Sequence, residues 1–269
     1  MNQIRIAVIG GGNMASALVK GLAGNVTAAS NIWVVDVNPA ALQVLAAQFG
    51  VKTGSDIAAA IQGADVILLA VKPQHMDQVL QEIAPGLAGQ LVISLAAGLQ
   101  TRQLSSGLRG HSAIVRAMPN TPALIGRGMT GLFAMAGVTP QQRELVSAML
   151  SAVGKILWFD EEGMLDAVTG VSGSGPAYVF QFIEALQKAA QEVGISAADA
   201  RVLAIETVAG AAQLAATSEE PVQVLRERVT SKGGTTFAGL TSLGNDGFDN
   251  VVANAVKAAV ARSRELGAQ

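Results

Sequence analysis

IRIAVIGGGNMA, residues 4–15, gives the clearest indication of the fold of this chain. A run of β-branched and other apolar residues leads directly into three consecutive glycines, and a helical pattern follows. A strand, a glycine-rich turn and a helix in this order form the dinucleotide-binding fingerprint, here with alanine as its third small residue. The glycines permit a tight turn and a close approach of the backbone to a pyrophosphate. Cofactor contacts are therefore predicted at Ile9, Gly10, Gly11, Gly12, Asn13, Met14 and Ala15.

The same alternation of short apolar runs and helical patterns continues through the first half of the chain. Strands are predicted at residues 4–10, 32–36, 66–71, 91–98, 113–119, 128–135 and 155–160. Helices are predicted between them, for example at residues 13–23, 39–48 and 140–152. Nearly continuous Val, Ile and Leu is typical of parallel strands covered on both faces, and strand–helix alternation indicates right-handed crossovers. We expect a Rossmann-type, doubly wound α/β domain over residues 1–163.

The strand patterns stop after about residue 163, and the rest of the chain is alanine-rich. Helices are predicted there at residues 175–193, 197–217, 221–229, 235–243 and 248–266. Since no further apolar strand runs interrupt them, we expect an all-α domain over residues 164–269.

Composition and charge exclude several classes of function. The net charge is -2 and charged residues make up only 14% of the chain, so no basic surface for nucleic acid or for a membrane is expected. With no cysteine and two histidines, the chain offers no disulfide, no thiol nucleophile and no evident metal site. The longest uncharged run, residues 83–101, is broken by proline and glycine and does not predict a membrane span. We expect a cytoplasmic protein that acts on a small molecule.

Residues at the carboxyl ends of the predicted strands indicate the same ligand, because doubly wound sheets bind ligands at that edge. Asp36 ends the second strand, where a carboxylate bonds the adenosine ribose and favours NADH. No arginine lies between Arg5 and Arg102 to bind the 2′-phosphate of NADPH. Asn38, two residues after Asp36, is a further polar candidate for this end of the cofactor. Each later loop residue alone is equally compatible with ordinary turn chemistry, but their common position favours a cofactor site. These residues are Ala70, Val71, Lys72, Pro73, Ala96, Ala97, Gly98 and Asn120.

A second glycine-rich segment, VTSKGGTTFAGL at residues 229–240, opens a predicted helix near the other end of the chain. Free amides at a helix N-terminus bind anions, and the hydroxyls of Ser231, Thr235 and Thr236 add hydrogen-bond donors. The segment suits a small carboxylate or phosphate, although serine and threonine are also the ordinary residues of a helix N-cap. A hydride acceptor with a carboxylate would need such an anion site and a partner for its reacting nitrogen.

Six motifs stand in the order typical of one enzyme family: GGGNMA, AVKP, SLAAG, RAMPNTP, GVSGSGPAYVF and VTSKGGTTFAGL. On these motifs the chain resembles the pyrroline-5-carboxylate reductases over essentially its full length. The resemblance implies a Rossmann-type domain followed by an all-α dimerisation domain. It also implies that the ring C=N bond of 1-pyrroline-5-carboxylate is reduced to L-proline, the final step of proline biosynthesis, with NADPH or NADH as the cofactor.

The resemblance also implies roles for single residues. The hydroxyl of Thr236 would bond the ring nitrogen, and Glu219 is similar to an acidic residue near the family's active site. Glu162 is a further acidic candidate for the substrate. Asp56 stands near the adenosine ribose at a position where the family often has asparagine, and Lys232 stands where the family commonly has proline. The substrate carboxylate would be held by Ser231, Gly233, Gly234 and Thr235.

The family's helical domains interlock as homodimers, often in larger rings such as a decamer, and one chain's signature helix completes the partner's cofactor site. Two alternatives remain open at this point. One is a related imine or hydroxyacid reductase, which would need a lysine or aspartate at the reacting carbon; Lys188 and Lys232 are the only candidate lysines. The other is a dinucleotide-binding protein without catalytic activity, since a fold alone does not prove a function.

Overall fold

The computed structural model describes residues 3–267 and divides the chain into two compact units. The first unit runs to Ser174 and takes up the chain again from Ala258, and the second comprises Gly175–Lys257. The domains predicted from the sequence, residues 1–163 and 164–269, were defined by their binding roles, whereas the two units are defined by packing alone. The predicted domain limits therefore stay a prediction.

A single sheet of eight strands forms the centre of the first unit. The strands are β1 (Ile6–Ile9), β2 (Ile32–Val35), β3 (Lys52–Gly54), β4 (Val66–Leu69), β5 (Leu91–Ser94), β6 (Ile114–Met118), β7 (Gly128–Ala134) and β8 (Gly154–Trp158). They lie in the order β3-β2-β1-β4-β5-β6-β7-β8, and neighbouring strands are parallel except β6 and β7, which are antiparallel. The predicted Rossmann-type, doubly wound sheet is therefore confirmed.

Helices cover both faces of this sheet. They are α1 (Asn13–Leu22), α2 (Pro39–Phe49), α3 (Ile57–Ile61), α4 (Met76–Ile83), α5 (Thr101–Gly107), α6 (Pro140–Ser151) and α7 (Met164–Val168). Buried residues of α1, α2 and α6 form one core with one face of the strands, and those of α3, α4 and α5 form a second core with the other face. Strand order reverses between β1 and β4, which is where doubly wound sheets bind their ligands.

Two details of the sheet differ from the sequence prediction. β3 was not predicted, because its three residues, Lys52–Gly54, carry no apolar run. The strands predicted at 66–71, 91–98 and 155–160 end earlier, at Leu69, Ser94 and Trp158, because the residues that follow them turn away as loops. Apolar character therefore marked these strands correctly but extended them into the loops that follow.

The second unit is helical, as predicted. It contains α8 (Gly175–Glu192), α9 (Ala197–Thr217), α10 (Val222–Arg228), α11 (Thr235–Asn245) and the first half of α12 (Phe248–Gly267). The rings of Phe182 and Phe248 meet within it, with centroids 6.4 Å apart. Throughout Gly175–Glu192 and Thr235–Asn245, none of the residues is buried in the single chain. Across residues 3–267, no helix is both long and apolar enough to cross a membrane.

Candidate active site

The glycine turn after β1 has a backbone that only glycine adopts easily. Gly10 has a φ of +107°, and a Cβ placed on it would lie 2.7 Å from the carbonyl oxygen of Ala70. Its N–H donates to the carbonyl of Val35 at 2.7 Å. Gly10 therefore lets the loop after β1 pass closely between the ends of β2 and β4.

Gly12 and the start of α1 form a surface that fits a dinucleotide pyrophosphate. Gly12 is the N-cap of α1, and within the described chain no side chain caps this helix. A Cβ placed on Gly12 would meet no atom of the surrounding described residues within 4 Å. Asn13 is exposed, whereas Ala15 is fully buried against the core. The first amides of α1 are thus available to an anion, and the backbone is accessible beside them.

The polar residues predicted for the adenosine end have partners in the protein itself. Asp36 accepts the N–H of Gly11 at 2.6 Å with Oδ2 and the N–H of Asn38 at 2.7 Å with Oδ1. Asn38 caps α2, and Asp56 caps α3 by accepting the N–H of Ala59. These contacts position Asp36 and Asn38 at the turn, and Asp56 follows β3, which lies parallel to β2, at the same edge of the sheet. The contacts of all three with a cofactor stay a prediction.

The loops after β4 and β5 border one groove. Pro73 from the first loop and Ala97 from the second both line it, together with Leu99 and with Leu266 near the end of α12. The predicted residues Ala70, Val71, Lys72, Ala96 and Gly98 belong to these two loops. The structure thus brings two of the loops predicted to contact the cofactor to one groove.

Asn120 holds two segments of the protein together. Its Nδ2 donates to the carbonyl of Ser172 at 3.0 Å, and its Oδ1 accepts the N–H of Met129 at 2.8 Å. Ser172 lies in a single π-helical turn, Thr169–Gly173, that precedes α8 and was not predicted. π-Helical turns are frequent at functional sites, but a direct contact of Asn120 with a cofactor stays a prediction.

Glu162 is also engaged within the first unit. Its Oε1 accepts the N–H of Thr101 at 2.6 Å, and its Oε2 accepts the hydroxyl of Thr101 at 2.8 Å. Nη1 of Arg116 lies 3.3 Å from Oε1. The predicted contact of Glu162 with the substrate stays a prediction. Neither of its partners, Thr101 and Arg116, was predicted from the sequence. A lone arginine inside the apolar run of β6 was the available signal, because a buried charge requires a partner.

In the second unit, the segment before α11 has the geometry of an open helix N-terminus. Gly233 has a φ of +74°, and the N–H of Gly234 donates to the carbonyl of Ser231 at 3.0 Å. Gly234 is the N-cap of α11, which no side chain among residues 3–267 caps. The Ser231 hydroxyl lies where a side chain at Gly234 would stand, and Thr235 and Thr236 are exposed. The helix therefore presents its first amides and several hydroxyls together.

Two neighbouring carboxylates precede α10, and they differ in their environment. Glu220 forms an ion pair with Arg228, with Oε2 2.6 Å from Nη1. Glu219 is exposed and makes no hydrogen bond or ion pair with any residue between 3 and 267. Of the two, Glu219 is the one available to a ligand.

Comparisons with known proteins bear on both halves of the chain. The family model described as "Pyrroline-5-carboxylate reductase dimerisation" matches residues 162–266, and the one described as "NADP oxidoreductase coenzyme F420-dependent" matches residues 5–98. The pyrroline-5-carboxylate reductase of Pseudomonas aeruginosa is 43% identical over 270 residues, which cover 100% of this chain and 99% of the relative.

Solved structures agree with these matches. The pyrroline-5-carboxylate reductase of Coxiella burnetii superposes with a TM-score of 0.93 at 39% identity, covering 98% of this chain and 99% of that one. A Plasmodium falciparum pyrroline carboxylate reductase, solved with NADP bound, superposes with a TM-score of 0.87 at 32% identity and 99% coverage of both chains.

Proposed function

The chain belongs to the pyrroline-5-carboxylate reductase family, and we propose that its two glycine-rich segments divide the work of one reduction. The protein is an NAD(P)H-dependent oxidoreductase that acts on the C=N bond of 1-pyrroline-5-carboxylate and forms L-proline. One observation supports this division most directly. Two helices begin at Gly12 and at Gly234 without a capping side chain among the described residues, so each has free N-terminal amides.

In this proposal the first unit holds the dinucleotide. Gly12 and the first amides of α1 bind the pyrophosphate, and Asp36 faces the adenosine ribose. Ala97, which lines the groove, is small enough to leave room for a flat ring beside it. When bound, the reduced nicotinamide supplies the hydride.

The segment before α11 holds the acceptor. The amides at the start of α11 and the hydroxyls of Ser231 and Thr235 bind the substrate carboxylate, because a helix N-terminus favours negative charge. The protonated imine donates its N–H to the hydroxyl oxygen of Thr236. Since the nitrogen already carries its proton, Thr236 orients the ring and does not need to act as an acid.

Glu219 supplies the remaining charge in the proposal. A protonated imine is a cation, and a carboxylate near it favours that form electrostatically. Glu219 has no partner among residues 3–267, whereas Glu220 is occupied by Arg228. We therefore assign this role to Glu219 rather than to its neighbour.

The helical unit supports assembly with a second copy. The dimerisation model of the family matches residues 162–266, so the chain carries a dimerisation domain. Large apolar side chains are exposed on this unit in the single chain, more than a monomer commonly leaves uncovered. They include Phe180, Val202, Leu203, Leu214, Val222 and Val251. We propose that two copies bury these side chains against each other, and that such dimers assemble further into a ring such as a decamer.

The rest of the proposal concerns partners and location. The low charge content of the chain supports a small-molecule enzyme without nucleic acid or membrane partners. A cytoplasmic location fits an enzyme that consumes NADPH or NADH.

The experiment is oxidation of NADPH and of NADH, measured separately by absorbance, with 1-pyrroline-5-carboxylate as the acceptor. An open-chain hydroxyacid and an unrelated cyclic imine serve as control substrates. Turnover restricted to the pyrroline acceptor supports the proposal. Cofactor binding without turnover of any acceptor would contradict it and favour a non-catalytic dinucleotide-binding protein.

A further inference from the structure

A chain of polar contacts, some buried and some partly buried, runs through the first unit, and apart from Glu162 its members have no role assigned so far. Arg116, in the middle of β6, is only 3% exposed, and it lies between two carboxylates. Its Nη1 is 3.3 Å from Oε1 of Glu162, and its Nη2 is 3.9 Å from Oδ1 of Asp166. Asp166 in turn accepts the hydroxyl of Ser263, on α12, at 2.7 Å in a buried hydrogen bond.

Stability alone is a weak explanation for this cluster. Removing charges from water is costly, and buried ion pairs are often replaceable by apolar residues without loss of stability. What the pairing does achieve is a fixed geometry, because each carboxylate must keep its charged and hydrogen-bonding partners close. The segments that the cluster joins therefore indicate its purpose.

One end of the cluster holds the start of α5. Thr101 is the first residue of this helix and follows the loop of residues 95–100, which contains Ala96, Ala97 and Gly98. Both oxygens of Glu162 hold Thr101, one through its backbone N–H and the other through its hydroxyl. The C-terminal end of the loop is thus tied to Arg116 through Glu162.

The other end of the cluster holds α12, which packs on the same loop. Gly98 has a φ of +81°, and a Cβ placed on it would lie 2.9 Å from Cβ of Leu266. A Cβ placed on Gly267 would lie 2.6 Å from the carbonyl oxygen of Gly98. Since the bond between Ser263 and Asp166 fixes this part of α12, the loop is held from both sides by one set of contacts.

We propose that Arg116, Glu162, Asp166 and Ser263 are positioning residues that hold the loop of residues 95–100 in the shape that receives the nicotinamide. The proposal rests on the assignment of Ala96–Gly98 to the cofactor. It predicts that loosening the cluster weakens cofactor binding while binding of the imine at the α11 segment is unaffected. A purely structural cluster would lower thermal stability and leave the affinity for the cofactor of the folded enzyme unchanged.

The main test compares two substitutions of Thr101. Thr101→Val keeps the shape but removes the hydroxyl that Glu162 accepts, whereas Thr101→Ser keeps the hydroxyl and loses only a methyl group. We expect Thr101→Val to raise KM and Kd for NADPH about tenfold with KM for the imine unchanged. We expect Thr101→Ser to stay close to the wild type. Ser263→Ala, a milder change at the other end of the cluster, should shift KM for NADPH in the same direction.

Two further variants separate the possible failures. Thr139→Ala removes a comparable contact, the N-cap bond of α6 to Gln142, away from the loop, and controls for a general loss of stability. Ala97→Leu tests directly whether the loop receives the cofactor. If Thr101→Val only lowers Tm, as Thr139→Ala does, the cluster is structural and the proposal is overturned. If Ala97→Leu also leaves Kd for NADPH unchanged, the assignment of the loop itself is wrong.

Discussion

Asp36, at the end of β2, accepts the backbone N–H of Gly11 at 2.6 Å and so joins the second strand to the glycine turn after the first. The same carboxylate accepts the N–H of Asn38 with its other oxygen. Two backbone donors fix this carboxylate at the place where the adenosine ribose of a dinucleotide lies in folds of this type. We therefore expect this charge to oppose a 2′-phosphate, although a Plasmodium falciparum relative was solved with NADP bound.

Asp36→Ser is expected to shift cofactor preference toward NADPH. Removing the carboxylate removes repulsion of the 2′-phosphate, and the loss of the ribose contact weakens NADH, so the ratio of the two kcat/KM values should change about tenfold. The measurement is steady-state kinetics with each cofactor. Asp65→Ser is the control, because Asp65 also accepts a backbone N–H, that of Arg5, at the amino end of β1. An equal ratio in wild type and Asp36→Ser would contradict the role of Asp36 in cofactor choice.

Gly10→Ala is expected to destabilise the fold strongly. The methyl group would stand 2.7 Å from the carbonyl oxygen of Ala70 in a left-handed backbone region, so we expect a loss of about 3 kcal/mol in the free energy of unfolding. Gly89→Ala is a matched control, because Gly89 also has a positive φ, +95°, but none of the surrounding residues in the range 3–267 lies within 4 Å of an added Cβ. That control should cost about 1 kcal/mol. Urea unfolding of both variants measures the difference. Equal losses of stability would show that the strain of the positive φ alone, and not the contact with Ala70, causes the loss.

Much of this arrangement could be predicted from local sequence. The glycine turn, the apolar strands and the start of α11 each depend on residues adjacent in sequence, so a pattern of a few residues carries the information. The predicted limits of helix α9, 197–217, agree with the structure. Ser196 marks the start of this helix, because its hydroxyl caps the helix by accepting the N–H of Asp199. Asn38, followed by a proline, was a similar signal for the cap of α2, although only a contact with the cofactor was predicted for it.

Contacts between distant segments could not be predicted in this way. Arg116 and Glu162 are 46 residues apart, and Asn120 and Ser172 are 52 residues apart. The sequence around each of these residues does not indicate which distant residue it will contact. The pairs form only when the segments around β6 and α7 pack together in the folded unit. The sequence therefore predicted which loops to expect near a ligand, but not the contacts between distant residues that lie behind those loops.

Thr236→Ala is expected to lower kcat/KM for the imine about 100-fold by removing the group that orients the ring. The affinity for NADPH should not change, since the proposed contact is with the substrate. Thr241→Ala provides the control within the same helix, because its hydroxyl donates to the carbonyl of Phe237 and faces solvent. Steady-state kinetics and a binding titration with NADPH measure the two effects. Unchanged kcat/KM in Thr236→Ala would exclude the proposed role.

Phe180→Asp is expected to weaken assembly of the second unit with another copy. Phe180 is 61% exposed on α8 in the single chain, and a charge there would be desolvated in an apolar interface, which costs several kcal/mol per copy. Val44→Asp on α2, at a side chain that is 52% exposed in the first unit, is the control. Sedimentation velocity should show smaller species only for Phe180→Asp. Unchanged assembly in that variant would place the interface elsewhere.

A mixed population of two inactive chains tests whether each reaction site is shared between copies. Gly12→Val adds a side chain beside α1 whose Cβ would have no atom of the surrounding described residues within 4 Å, so this chain should lose the cofactor but keep Thr236. The Thr236→Ala chain keeps its cofactor surface. If the α11 segment of one copy serves the cofactor loops of its partner, random exchange at equal amounts restores about a quarter of wild-type activity, because half of the dimers are mixed and each has one intact site. If each chain uses its own segment, every site in a mixed dimer keeps one defect, and activity stays at the level of the separate variants.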